Sequence, residues 1–251
     1  MDQLLRATAD AEARHFWFRG FRAFVAPLLR RAAAQSSSGL RRVLDCGCGT
    51  GNNLAFLNRF GRAYGFDLSA VGLRIGRASG RTLLARASVA AAPFPDRIFD
   101  IVTSFDVLYS LDDRTERAAI AEMYRLLKPG GFAVVNVAAM ESLRGDHSVL
   151  SHEVRRYSRE SLRTRLIEAG FIVERITYTN FALFAPMWIA RTLQRRRGLR
   201  AETEAQHEIA VPPAPVNTLL SAVLITESVC LRWINMPAGS SLLCLARKPA
   251  H

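Results

Sequence analysis

The sequence predicts an α/β fold: a mostly parallel, seven-stranded sheet with a helical segment ahead of it and a helical insertion between its last two strands. Three observations carry this. Short apolar runs alternate with helical periodicity from about residue 42 onward. The first run enters a glycine-rich loop, VLDCGCGTG at 43–51, and a helical pattern follows it directly. About 60 residues then separate the sixth and seventh runs, far more than a hairpin needs.

Taken in order, Val43–Cys46, Ala63–Asp67, Thr82–Ala87, Asp100–Phe105 and Phe132–Val137 read as five strands, Phe171–Tyr178 as a sixth and Ser241–Arg247 as the last. Asn53–Phe60 reads as a helix, and Ser69 caps the next. Asp113 with Glu116 resembles a capping box opening a helix over 114–127, which Lys128-Pro129-Gly130-Gly131 ends. Ser158 caps a helix to Ala169, with Gly170 as its stop. The linker Gln35–Gly39 (QSSSG) divides the chain into an N-terminal helical lid at 1–39 and a core at 40–180. The insertion occupies 181–239, and 240–251 returns to the core as the final strand and tail.

The formal net charge is +12, carried almost wholly by arginine, since Lys128 and Lys248 are the only lysines. Such a balance suits an anionic partner or a solvated basic surface. Met1–Ala13 is charged and lacks an apolar segment of the kind that leads a secreted chain. Four dispersed cysteines do not make a disulfide framework, so the reducing cytoplasm is the expected compartment. Cys46 and Cys48 stand as C-x-C, whereas structural zinc and redox pairs favour C-x-x-C, and no metal is expected. Both read as small fillers beside a turn.

The glycines separate two ligand readings. A dinucleotide fingerprint is G-x-G-x-x-G, but here the pattern is D-x-G-x-G-x-G, with Asn52 in place of the third dinucleotide glycine. Asp45 at the strand end suits an ammonium group. Asp67 lies about 20 residues past the loop, the distance at which a carboxylate reaches ribose hydroxyls.

LDCGCGTG, FDLS, PFPDRIFDIVTSFDVL and LLKPGG, in that order, resemble the successive motifs of class I S-adenosylmethionine-dependent methyltransferases. The likeness is to the small-molecule group related to the ubiquinone and menaquinone biosynthesis enzymes, strongest over 40–137. It implies a Rossmann-like fold and S-adenosylmethionine as cofactor. Asp67 would then accept the ribose hydroxyls, and the loop with Asp45, Gly47, Cys48, Gly49 and Gly51 would pass under the amino-acid end. Leu68 or Phe66 would face the adenine. Ser88 and Val89 stand where relatives often carry an acid for the adenine amino group. Phe105 and Asp106 close the fourth strand beside the cofactor, and Tyr109 just beyond would orient a substrate.

The resemblance also singles out Asp146–Tyr157. His147 and His152 are candidates for a general base, and Arg155 and Arg156 for binding a substrate carboxylate or phosphate. Ser148 and Glu153 depart from the family pattern there. At the N-terminus, HFWFRGFR at 15–22 suits a lid, with Trp17 against substrate and Arg19 on the methionine carboxylate.

The insertion holds FALFAPMWIARTL, the arginines 195–197, a proline break at 212–215 and the apolar stretch 216–236. It would cap the site, form a homodimer interface, or contact the inner membrane face peripherally through 181–236. Pro186, Glu227 and Arg232 argue against a span. The chain lacks the N/D-P-P-Y/F stretch of base-amino methyltransferases, so a nucleic-acid substrate is not expected. The reading that follows is methylation, at oxygen by chemical preference because a histidine is available as base, of a hydrophobic small molecule such as a lipid, quinone-like compound or secondary metabolite. A cofactor-binding partner subunit or a non-methylating catalyst is the alternative.

Overall fold

The computed structural model of the protein describes residues 11, 12, 14–36, 39–200 and 211–250. Ser37 and Ser38 of the expected linker, most of Met1–Ala13 and residues 201–210 of the insertion lie outside these.

The first described helix, α1 (Phe16–Gln35), leads to β1 (Arg42–Cys46), the single turn α2 (Leu54–Leu57) and β2 (Arg62–Asp67). Next come α3 (Ala70–Ala78), β3 (Leu84–Arg86), β4 (Phe99–Phe105), α4 (Asp113–Leu126) and β5 (Leu127–Ala138). The chain continues through α5 (Asp146–Leu150), α6 (Arg159–Glu168), β6 (Ile172–Thr179), α7 (Phe184–Arg197), α8 (Ala214–Cys230) and β7 (Ser241–Arg247). The sheet order is β3-β2-β1-β4-β5-β7-β6, with β7 antiparallel to both its neighbours and the rest parallel. β1 and β4 are adjacent although the chain runs outward from β1 to β2 and β3 first. That reversal leaves a crevice at the carboxyl ends of β1 and β4, where open α/β sheets take their ligands.

Strand alternation sends neighbours to opposite layers. Val43, Ile101, Phe132 and Leu243 pack under α1, α2 and α8, while Leu44, Val102, Ala133 and Leu242 pack under α4 and α6. On α1 the buried positions Phe24, Val25, Leu28, Leu29 and Ala32 follow helical spacing.

Three local expectations change. The N-cap of α4 is Asp112, whose Oδ1 accepts from Thr115 N at 2.8 Å, so Asp113 falls inside the helix. Lys128–Gly131 lies inside β5, with Gly130 at φ +78°, because the chain passes from helix to strand at Leu127 without a loop. The helix expected over 53–60 closes after one turn.

The insertion is fastened to the N-terminal helix. Asn217 Oδ1 accepts from Phe16 N at 2.8 Å, a first-turn amide that has no partner within its own helix. Asn217 Nδ2 donates to Arg14 O at 2.9 Å. Gly20 lets the two helices touch, since a Cβ there would meet Leu224 Cδ1 at 2.5 Å. The Glu227 carboxylate accepts from Phe181 N and Ala182 N at 3.0 and 2.9 Å, fixing the turn that starts α7. Replacing Asn217 by Ala strands one donor and one acceptor, and thermal unfolding of N217A should show a loss of about 1–3 kcal/mol.

Candidate active site

A cavity of about 990 Å³ opens over the carboxyl ends of β1, β2 and β4. The loop after β1 forms its floor. Gly47, Gly49 and Gly51 all have positive φ, at +77°, +56° and +76°, a conformation glycine adopts without steric cost. A Cβ on Gly47 would lie 2.5 Å from Val107 Cγ2. Gly47 N and Cys48 N both donate to Phe66 O, at 2.9 and 3.0 Å. Cys48 fills the space over Gly65, where a Cβ would meet its Sγ at 2.8 Å. Burial pushes the Cys46 and Cys48 thiols up in pKa, leaving both as neutral packing groups.

Asp67 ties the two glycine-loop strands together. Its Oδ2 accepts from Gly49 N and its Oδ1 from Ser69 N, each at 2.8 Å. A carboxylate offers about four lone-pair sites, so two stay available for a pair of hydroxyls. Leu68 beside it is 64% exposed yet lines the cavity, an apolar surface waiting for a flat partner. Phe66 is fully buried and takes no part. Ser88 and Val89 are also in the lining, and Ser88 Oγ accepts from Ala90 N at 3.2 Å.

Asp45 is buried at the end of β1, where its Oδ1 accepts from Thr103 Oγ1 at 2.7 Å. Burial raises its pKa to about 7, against the Thr103 hydrogen bond, and the Asp67 charge adds to the rise. Asp106, at φ +59°, takes a hydrogen bond from Asn136 Nδ2 at 2.9 Å and lines the cavity. Desolvation there raises its pKa to about 7 as well.

Of the remaining candidates, the structure brings Trp17, Phe105, Tyr109, His147 and Arg156 to the cavity wall. Tyr109 is buried, and burial pushes its hydroxyl pKa well up. Arg156 is engaged by Glu153, with Nε to Oε2 at 2.8 Å and Nη2 to Oε1 at 3.0 Å, and also donates to Ala139 O.

Four expected residues lie elsewhere. Gly51 is outside the lining, where a Cβ would meet the Arg81, Leu84 and Leu54 side chains at 3.1, 3.1 and 3.3 Å. Arg19 is exposed and outside the lining, because Trp17, Phe18 and Phe21 occupy the cavity face of α1 and the step of about 100° per residue turns Arg19 about 160° away from Phe21. His152 is exposed at φ +51° on the turn after α5, outside the lining. Arg155 also lies outside it and bonds Asp113, buried Glu116 and Leu111 O, a fastening between α4 and the segment before α6. The cavity also recruits Glu12, Phe21, Met187 and Arg191, which sequence spacing did not connect with it. Burial raises Glu12 to about 7 against the Arg22 and Arg81 charges. The signal for Arg191 was present in the length of the insertion, but nothing local said which face of α7 would turn inward.

The sheet order and the acid–glycine loop–acid arrangement define a class I methyltransferase scaffold. Residues 44–135 match the methyltransferase domain family. A ubiquinone/menaquinone biosynthesis C-methyltransferase of Yersinia enterocolitica is 30% identical over 184 residues, 57% of this chain and 71% of that protein. Its counterpart from Photorhabdus laumondii is 28% identical over 191 residues, 60% of this chain and 74% of that one. Among solved structures, phosphoethanolamine N-methyltransferase 2 of Haemonchus contortus in complex with S-adenosyl-L-methionine superposes with a TM-score of 0.60 at 20% identity, over 99% of this chain and 57% of that one. The chain belongs to the class I S-adenosylmethionine-dependent methyltransferases, and S-adenosylmethionine is its cofactor. The residues present fit that molecule: a glycine backbone lining the cavity at Gly47 and Gly49, spare acceptors on Asp67, and a buried acid at Asp45.

Two outcomes test this fit. Asp67→Ala removes acceptors for two hydroxyls and the tether on Gly49, and calorimetry should show S-adenosylhomocysteine binding weakened about 100-fold. A cationic ammonium beside Asp45 favours its ionised form, so binding below about pH 7 should release a proton. Affinity should rise toward tenfold per pH unit up to 7 and then level, and Asp45→Asn should lower that slope. For the ligand-free protein the sign reverses. The stability tied to Asp45 is full below about pH 4 and is lost as the pH climbs through about 7.

Proposed function

We propose that this methyltransferase acts on a hydrophobic small molecule bearing a hydroxyl group, and that the hydroxyl oxygen is the acceptor. The observation that carries this reading is the cavity wall: Phe16, Trp17, Phe18 and Phe21 of α1 with Met187 of α7 line the same cavity as Asp106, Tyr109 and His147. When bound, S-adenosylmethionine supplies a methyl group on a positively charged sulfur that a nucleophile displaces.

The chain's own residues would do the rest. The aromatic wall of α1 excludes water and holds an apolar acceptor. His147, on α5 and in the lining, takes the hydroxyl proton. Tyr109 keeps its own proton and so donates to the acceptor without acting as a base. Asp106, titrating near 7, is placed on the same side to orient the acceptor or receive the proton in turn. Arg156, already paired with Glu153, stiffens that wall in place of binding a substrate anion.

A carbon acceptor is the second reading, favoured by relatives that are C-methyltransferases of ubiquinone and menaquinone biosynthesis. Deprotonation of a ring hydroxyl also activates the neighbouring ring carbon, so both readings use the same base.

Methyl-labelled cofactor incubated with the protein and a host extract should place label in an organic-soluble product, as an ether methyl by NMR. A ring-carbon methyl would select the second reading, and label in RNA or protein would overturn both. His147→Ala should reduce kcat by about 100-fold or more while leaving S-adenosylhomocysteine affinity unchanged.

A further inference from the structure

Helix α8 is built inside out. Its buried positions are Asn217, Ser221, Leu224, Glu227 and Ser228, only one of them apolar. Its exposed side carries Val216, Leu219, Ile225 and Val229, and the turn that follows adds Trp233 and Ile234. Leu219 is 65% exposed and Trp233 75%. In water a helix arranges itself the other way, polar side out. Helix α7 has no buried residue: Met187 and Arg191 line the cavity while Trp188, Ile189 and Leu193 are exposed. Glu227 joins the two, since it holds the turn from which α7 starts. A grouping of exposed apolar side chains on this scale marks an interaction surface.

Charge says what covers it. Arg191, Arg195, Arg196, Arg197 and Arg200 fall within 181–200, a stretch with no acidic residue, and exposed Arg232 follows α8. The insertion's glutamates other than Glu227 are at 202, 204 and 208, outside the described residues. Arg197 pairs with buried Asp146 at 2.7 Å, whereas Arg196 and Arg232 are exposed. A second copy of this chain would bring the same arginines against themselves. Anionic headgroups above an apolar layer complement both features at once. No helix among the described residues is long and apolar enough to cross a membrane.

We propose that the exposed faces of α7 and α8 dock the protein on an anionic lipid bilayer, with Leu219, Ile225, Trp188 and Trp233 among the upper acyl chains and exposed Arg196 and Arg232 at the headgroups. Met187 and Arg191 of α7 and Pro212 ahead of α8 line the cavity, so docking would set the cavity wall beside the lipid. That last step, an apolar acceptor drawn from the bilayer, rests on the function proposed above; the docking itself does not.

The test uses the full chain without acceptor, in flotation with vesicles of phosphatidylcholine alone or with phosphatidylglycerol added. Flotation is expected with the anionic vesicles, about fivefold weaker for each of Arg196→Gln and Arg232→Gln. The triple variant Leu219→Ser, Ile225→Ser, Trp233→Ser should lose vesicle binding while keeping its unfolding transition and its S-adenosylhomocysteine affinity. In a Trp17→Phe, Trp188→Phe background, brominated lipids should quench the fluorescence of Trp233. Absence of flotation with anionic vesicles, or flotation without quenching, would overturn the proposal. So would a stable dimer that the triple variant dissociates. Absence of flotation by the unsubstituted chain with methyl transfer intact would overturn docking alone, whereas flotation without methyl transfer would count against the proposed reaction alone.

Discussion

One carboxylate sets the geometry on which the site is built. Asp67 stands at the end of β2 and receives Gly49 N from the loop after β1 and Ser69 N from the cap of α3. Two chain segments that diverge from adjacent strands are thereby held at a fixed separation. The loop can then keep three glycines at positive φ, a conformation with little intrinsic preference, because both its ends are anchored. Phe66 O completes the anchor by accepting from Gly47 N and Cys48 N. Asp67 and the bare backbone at Gly47 then both line the cavity.

The second constraint is the bond between the two ends of the chain. The N-terminal helix and the insertion are about 200 residues apart in sequence, 201 between Phe16 and Asn217, and both contribute to the cavity lining. Asn217 supplies acceptor and donor at once, and Gly20 lets Leu224 lie against the α1 backbone. The polar stripe of α8 is therefore accounted for by its partners within the protein. Its apolar side has no such account among the described residues.

Electrostatics divides the cavity. Asp45 and Asp106 are cavity-lining carboxyls whose pKa values desolvation raises to about 7, and each takes a hydrogen bond from a neighbouring strand, from Thr103 and Asn136. Glu153 and Arg156 instead satisfy one another on the wall. Groups near their titration point beside a group that is fully paired give the site places where charge can change and a frame that does not move.

Read from the chain alone, the alternation of apolar runs and helical periodicity determined the α/β sheet, and the spacing D-x-G-x-G-x-G with an acid about 20 residues later determined the cofactor floor. These are local properties: strand period, backbone freedom at glycine and a carboxylate at a strand end are written in consecutive residues. The tertiary structure alone decided which members of HFWFRGFR and of Asp146–Tyr157 face the cavity. Arg19 and His152 point out, and Arg155 is spent on Glu116, while Glu12, Met187 and Arg191 arrive from distant segments. Helix rotation and the docking of one segment on another depend on contacts between residues far apart in the chain, and no single stretch of sequence contains that information.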